Sequence, residues 1–371
     1  MWPDRRILDL LRVDLPILLA PMAGAGLAEL AIGVAEAGGL GALPVATLGP
    51  DQARAEWAKI RAATRRPINL NFFCHAPPAA DPARDAAWRA RLAPYYAELG
   101  VDPAAVAPSP NRAPFDDARC ALVEDLRPEV VSFHFGLPAP ALVDRVRATG
   151  AAILSSATTV AEARWLEARG CDAIIAQGAE AGGHRGSFLG DPIAACATEP
   201  GTFALVPQVV DAVRVPVIAA GGIADARGIA AAFALGAAAV QLGTAYLFCP
   251  EARITAPHRA ALRDVRDDTT ALTNIFTGRP ARGVINRSMR ELGPLAAVAP
   301  AFPLAGHALA PLKAAAEAAG SGDFGSLWSG QAAALTAARV ALAAPATISA
   351  GELTRALAAE ALDRLTRLAA R

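Results

Sequence analysis

The sequence predicts an α/β fold: a (β/α)8 TIM-like barrel with an additional, mainly helical small domain or lid. Three observations carry that expectation. Eight short apolar runs recur along the chain, Ala/Leu/Arg/Glu-rich helical stretches separate them, and several runs end in glycine or a small polar residue. Such alternation implies parallel pairing with right-handed crossovers. With 371 residues, 54% hydrophobic and 19% charged, the chain can bury a core of the necessary size. A doubly wound open sheet is the structural alternative, weakened by the absence of GxGxxG after the first run.

The elements follow in order. Ile17–Ala20 runs into "APMAGAG", and Gly41–Pro44 is the second run. Ile68–Phe73 continues into "NLNFFCH" and then into an insertion, about 75–114, rich in proline and charge. Val130–Phe135 gives "SFHFGLP". After Ala152–Ser155, the stretch Thr159–Arg169 reads as a helix with threonine at its start and Gly170 at its end. Ala173–Gln177 is apolar enough to be buried on both faces, and it opens into the glycine-rich "QGAEAGGHRGSF". Val217–Ala220 leads through "AAGGIAD" to Asp225, a helix cap, and Ala239–Leu242 leads into "QLGTAYL". The stretch Gly228–Pro250 lacks charge and could span a bilayer by length. Gly236, Gly243 and Gln241 interrupt it, so it reads as a core helix followed by a strand. The barrel is therefore expected over 1–250. Residues 251–371 are too many for one closing helix, and they read as a mainly helical lid or second domain, part of which packs back on the barrel.

Lys+Arg and Asp+Glu both number 35 without long runs of either sign, so no electrostatic footprint points to nucleic acid or an anionic membrane. Small molecules are the expected partners. The five cysteines are scattered and never spaced as CxxC, which argues against a disulfide framework or structural zinc. "MWPDRRILDLLRVDLP" is too charged for a signal peptide, and a reducing cytoplasm is the expected compartment. The insertion and the tail are open equally to a role as lid or as homodimer interface.

In a barrel, six of these strand-end loops converge on one mouth. Gly221-Gly222 and Gly243-Thr244 follow the seventh and eighth runs, where barrels frequently bind phosphate through backbone N–H groups. The alternative is that these glycines only make tight turns. Asn69 and Asn71 flank Leu70 and share a face; with Gln177 and Gln241 they supply amides suited to a planar heterocycle. Amides and a phosphate pair together look like a flavin mononucleotide site, with Met22 against the ring or merely packed. His184 follows two glycines and is a candidate hydrogen-bond donor or base; the alternative is a surface histidine. His134, between Phe133 and Phe135, faces opposite to both and enters the barrel if they pack outward. Glu180 and Arg185 are expected to order their loop by pairing with backbone or each other. Arg279 and Arg282 read more readily as solvated charges than as ligands to an anion. His75, His258 and His307 lack metal-ligand spacing, so no metal is expected.

"APMAGAG" (20–26), "NLNFF" (69–73), "SFHFG" (132–136), "QGAEAGGHRGSF" (177–188), "AAGGI" (219–223), "QLGT" (241–244), "FTGRPARG" (276–283) and "LWSGQ" (327–331) together resemble the nitronate monooxygenases. These were formerly called 2-nitropropane dioxygenases, and the last two motifs point to the class I branch. The resemblance implies an FMN-dependent enzyme that oxidises alkyl nitronates, such as propionate 3-nitronate, with O2 to nitrite and a carbonyl compound. On the matched positions it implies FMN held by Met22, Asn71, Gln177, Gly182, Gly222, Gln241, Leu242, Gly243 and Thr244, with His134 and His184 near the substrate. The family often has a tyrosine near a basic residue in the tail; this chain offers "AFPLAGHALAPLK", with Phe302 in place of the tyrosine and Lys313 as the basic, substrate-binding group. The rival functions are an NAD(P)H-dependent FMN reductase acting on quinones or enoyl thioesters, and a non-flavin phosphate-binding barrel lyase or isomerase.

Overall fold

The computed structural model describes residues 1–104, 112–343 and 347–370. All eight expected strands form within two residues of their expected bounds. They are β1 (Ile17–Leu19), β2 (Gly41–Pro44), β3 (Ile68–Phe73), β4 (Val130–His134), β5 (Ala152–Ala157) and β6 (Ala173–Gln177). A two-residue strand β7 (Gly183–His184) follows, then β8 (Val217–Ala220) and β9 (Ala239–Leu242). β7 aside, they pair in the order β1-β9-β8-β6-β5-β4-β3-β2, every pair parallel. A parallel bridge joins Leu18 to Leu40, just before β2, with Leu19 N–H donating to the Leu40 carbonyl at 2.9 Å and Leu40 N–H to that of Ile17 at 3.0 Å. The sheet thus closes on itself and is a barrel, not an open doubly wound sheet, so neither β1 nor β2 is left as a bare edge.

Every residue of β2, β3, β6 and β8 is buried, because helices cover the outside while side chains fill the inside. Thr159 accepts from Glu162 N–H at 3.2 Å and Asp225 from Arg227 N–H at 2.8 Å, capping the helices Val160–Glu167 and Ala226–Ala234. Each cap satisfies an otherwise orphaned donor and is worth about 1 kcal/mol. The uncharged stretch 228–250 divides between the second of these helices and β9. Among the described residues no helix is long and apolar enough to cross a membrane.

Beyond β9 the chain leaves the barrel and returns only with the helix Ala350–Ala369. That helix lies against the helices Ala28–Glu36 and Ala226–Ala234, and its Leu353, Leu357, Ala358 and Ala361 join the barrel core. The Tyr246 hydroxyl, 2.7 Å from Thr354 Oγ1, satisfies a polar pair at the seam. Between these points the tail contains β10 (Thr270–Thr273) and β11 (Ala281–Val284), and with β7 these form an antiparallel sheet in the order β10-β11-β7. This small sheet is not evident from the sequence, where 177–188 reads as loop throughout. The insertion joins the tail, not the barrel: Trp88, Leu92 and Tyr96 of the helix Pro82–Glu98 share one core with Phe276, Met289, Leu309, Leu312 and Phe324. Trp88 Nε1–H donates to the Ala305 carbonyl at 3.1 Å, and the Tyr96 hydroxyl to that of Ala308. Residues 105–111 of the insertion lie outside the described residues.

Candidate active site

A cavity of about 600 Å³ opens at the C-terminal ends of the barrel strands, the end at which barrels carry their sites. Met22 enters it from the loop after β1, Asn71 from β3, His134 from β4 and Gln177 from β6. Gly222 follows β8, while Gln241, Gly243 and Thr244 come from the end of β9. The loop around β7 adds Gly182 and His184, and the tail roofs the space with His258, Lys313, Trp328 and Gly330. Leu242 is the exception among the residues singled out from the sequence. Its side chain is 1% exposed in the barrel core, since alternation along β9 turns Gln241 inward and Leu242 away. Only its backbone is at hand.

Asn69 and Asn71 do share a face, and both donate from Nδ2 to Ser132 Oγ at 2.9 Å. Asn71 borders the cavity, whereas Asn69 does not; the Oδ1 of Asn69 is buried without a partner among the described residues. Gln177 spends its amide on its own loop, with Nε2 donating to the His184 carbonyl at 3.0 Å and Oε1 accepting from Gly186 N–H at 2.8 Å. One amide hydrogen remains for a ligand. Gln241 reaches the cavity with no side-chain partner among the described residues. Gly221 and Gly222, at φ of +107° and +69°, turn the chain at the cavity wall in a conformation that favours glycine. Amides, backbone N–H groups and the Thr244 hydroxyl make a lining suited to a planar heterocycle with carbonyls and ring nitrogens, joined to a phosphate. Of the two carboxylates that line it, Glu180 is occupied by Thr202 N–H at 2.8 Å and Thr202 Oγ1–H at 2.9 Å, and Glu317 lies 3.8 Å from Lys313 Nζ.

The stretch 177–188 is held on every side. β7 pairs with β11, setting His184 opposite Ala281. Arg185 is fully buried, with Nε 2.9 Å from Glu199 Oε1 and its remaining nitrogens donating to the Gly178 and Gln177 carbonyls. Its carboxylate partner is thus Glu199, not Glu180. Arg282 is buried and donates from Nε to the Ala179 carbonyl at 2.9 Å. Arg279 lies over the Phe135 ring at 4.0 Å and donates to the Ser187 carbonyl. Both arginines are structural ties to the loop, not solvated charges, because the tail folds back over it. The Gln331 N–H donates to the Glu180 carbonyl at 3.0 Å and the Gly330 N–H to Thr244 Oγ1 at 2.9 Å, so "WSGQ" closes the site from above.

His134 Nε2 lies 3.1 Å from the His184 carbonyl, which can only accept, so Nε2 carries the proton. Nδ1 then accepts from the Ser156 hydroxyl at 2.7 Å, and both ring nitrogens are spent within the protein. His184 differs: Nε2 meets Thr277 Oγ1 at 3.0 Å, and Nδ1 has no partner among the described residues. Its ring sits among Phe73, Phe135, Phe302 and Trp328, with centroids 5.4–6.2 Å away. Burial pushes the pKa of His134 down to about 3, aided by Arg279. Burial, then Arg112, His134 and Arg279, hold His184 well below the ordinary range. Both rings are neutral at physiological pH. Lys313, partly exposed at the rim, lies 3.8 Å from Glu317 Oε1. Sequence reasoning did not single out Ser156, at the end of β5, nor Arg112, nor Thr277 and Trp328 within their quoted motifs; the last three become neighbours of the site only when the insertion and tail fold over the mouth.

Comparison with known proteins agrees with this arrangement. The model of the nitronate monooxygenase family matches residues 4–357. The chain is 44% identical over 335 residues to a nitronate monooxygenase of Paraburkholderia phytofirmans, covering 89% of this chain and 90% of that one. It is 43% identical to a nitronate monooxygenase of Pseudomonas aeruginosa, at 89% and 94% coverage. Among solved structures, nitroalkane oxidase from Streptomyces ansochromogenes superposes with a TM-score of 0.86 at 39% identity, covering 98% of this chain and 99% of that one. FabK from Thermotoga maritima superposes at 0.73 with 27% identity, covering 100% and 99%.

Proposed function

The chain belongs to the nitronate monooxygenase family of oxidoreductases, and on that premise we propose that it binds FMN and oxidises alkyl nitronates with O2, releasing nitrite and a carbonyl compound. Propionate 3-nitronate is the proposed type substrate. Met22, Asn71, Gln177, Gly182, Gly222, Gln241, Gly243 and Thr244, with the backbone of Leu242, would hold the cofactor; the unpartnered Gln241 amide and the glycine turn at 221–222 fit that role. When bound, the flavin supplies the electron acceptor that protein side chains lack.

The observation that carries the reading is His184: a neutral, half-buried imidazole on the cavity wall, ringed by aromatics, whose Nδ1 has no partner among the described residues. A nitronate already carries the electron pair that is to be removed, so no strong base is required. Neutral His184 orients the nitronate oxygens through Nδ1, while Thr277 fixes the ring from Nε2. His134, with Gln177, holds the His184 carbonyl and so aims the ring, which makes it a positioning residue. Phe73 and Trp328 help to exclude water. Lys313 at the rim is assigned to substrate binding.

The test is anaerobic addition of propionate 3-nitronate to the FMN-loaded protein, followed by its visible spectrum and then by admission of air. Reduction of the flavin by the nitronate, with nitrite formed once air enters, is the expected result. A flavin that ignores the nitronate but bleaches with NADH would transfer the site to a reductase. A protein that fails to retain FMN would return it to a phosphate-binding barrel.

A further inference from the structure

Three cations line the cavity besides the loop just described: Arg112, Arg253 and Lys313. Arg253 pairs with Glu29 at 2.8 Å, and Lys313 lies 3.8 Å from Glu317. Arg112 lines the cavity and has no carboxylate partner among the described residues. A cation withdrawn from water without a counter-charge is costly, and a bound anion offsets that cost. Its position narrows which anion. Phe115, three residues on, donates from N–H to the Phe73 carbonyl at 2.7 Å, which moors the segment to the end of β3. In the closed order of strands β3 lies across the mouth from β8, so Arg112 sits opposite the glycine turn at 221–222. It is placed for the substrate side of the cavity, where Phe73 and His184 meet at 6.2 Å, not for a cofactor phosphate. Its field also weighs on both His184 and His75.

We propose that Arg112 is a specificity-determining residue whose guanidinium pairs with a carboxylate borne by the nitronate substrate, while His184 attends the nitronate group. This rests on the nitronate reading above. A planar guanidinium matches a carboxylate with two parallel N–H···O bonds, whereas the neutral His184 ring suits a single oxygen. Lys313, on the solvent-open rim and beside Glu317, cannot replace that geometry with a point charge.

The test uses the FMN-loaded full chain and Arg112→Gln and Arg112→Lys. KM for propionate 3-nitronate is expected to rise about 10–100-fold in Arg112→Gln, the loss of a charged hydrogen bond, with partial recovery in Arg112→Lys. KM for ethyl nitronate, which has no carboxylate, should move less than about threefold, with kcat similarly preserved. Equal losses on both substrates, or no change on either, would overturn the proposal. Calorimetry with unreactive ligands separates it from the function itself: butyrate carries the carboxylate that Arg112 would pair with, and butyramide is its neutral isostere. Wild type should bind butyrate at least about tenfold more tightly than butyramide, and Arg112→Gln should lose the difference. If that discrimination holds but neither nitronate is oxidised, the anion site stands and the nitronate reading falls. Equal affinity in wild type overturns the proposal.

Discussion

His134 Nε2 and Gln177 Nε2 both donate to the carbonyl of His184, at 3.1 and 3.0 Å, so two side chains read from the sequence as site residues spend themselves on aiming a third. This division has measurable consequences. Replacing His184 with Asn should lower kcat on nitronates about 100-fold while costing less stability in urea than loss of His134, because Nδ1 serves the ligand and only the Thr277 contact and ring packing serve the fold. Replacing His134 with Ala should instead cost about 1–3 kcal/mol in urea unfolding, since it strips partners from the Ser156 hydroxyl and the His184 carbonyl. Equal stabilities of the two variants would refute the assignment. The depressed pKa of His184 adds a pH signature. With the folded-state value well below 6.5, the ring stays neutral from pH 6 to 8, and kcat/KM for a preformed nitronate should be flat across that window. The same shift makes His184 a poor base, so neutral nitroalkanes should react at least about 100-fold more slowly than their nitronates.

The strands were legible because each is a short apolar run closed by glycine or a small polar residue, and burial on both faces leaves no polar alternation to confuse the pattern. β7 was not, since its two residues of loop-like sequence become strand only by pairing with β11, about a hundred positions away. Gly182 illustrates what that pairing demands. A Cβ there would lie 2.5 Å from the Gly330 backbone nitrogen, whereas at Gly183 nothing stands within 4 Å. Gly182→Val should therefore lift the turn at 329–330 off the site and weaken FMN retention about tenfold or more. Gly183→Ala, strained only by its φ of +72°, should cost about 1–2 kcal/mol and retain the cofactor. Dialysis followed by flavin absorbance distinguishes them.

Across the whole molecule, burial of histidines couples stability to pH. His75 and His258 are pushed down to about 4 and His134 to about 3, each chiefly by burial. Their folded-state values lie below the unfolded value of about 6.5, so below that pH the unfolded chain binds protons that the fold refuses. The stabilisation is complete above pH 6.5 and is lost as pH falls toward 4, by at most about 1.4 kcal/mol per pH unit for each histidine. Melting temperature should fall steeply between pH 6.5 and 5, and His258→Gln should flatten that slope. An unchanged slope would mean that His258 protonates within the fold without cost.

What the sequence by itself determined was the barrel: eight apolar runs, their order and the glycine turns that place Met22, Asn71, Gln177, Gly222 and Gln241 at one mouth. These are local properties, readable from alternation, run length and turn chemistry within a few residues. Only the tertiary structure decided that the last barrel helix is Ala350–Ala369, that the insertion and tail share a core around Trp88, and that Arg112, Thr277 and Trp328 reach the site. Those contacts join residues far apart in the chain through surfaces that have no local period, and no single stretch encodes which distant face will cover it.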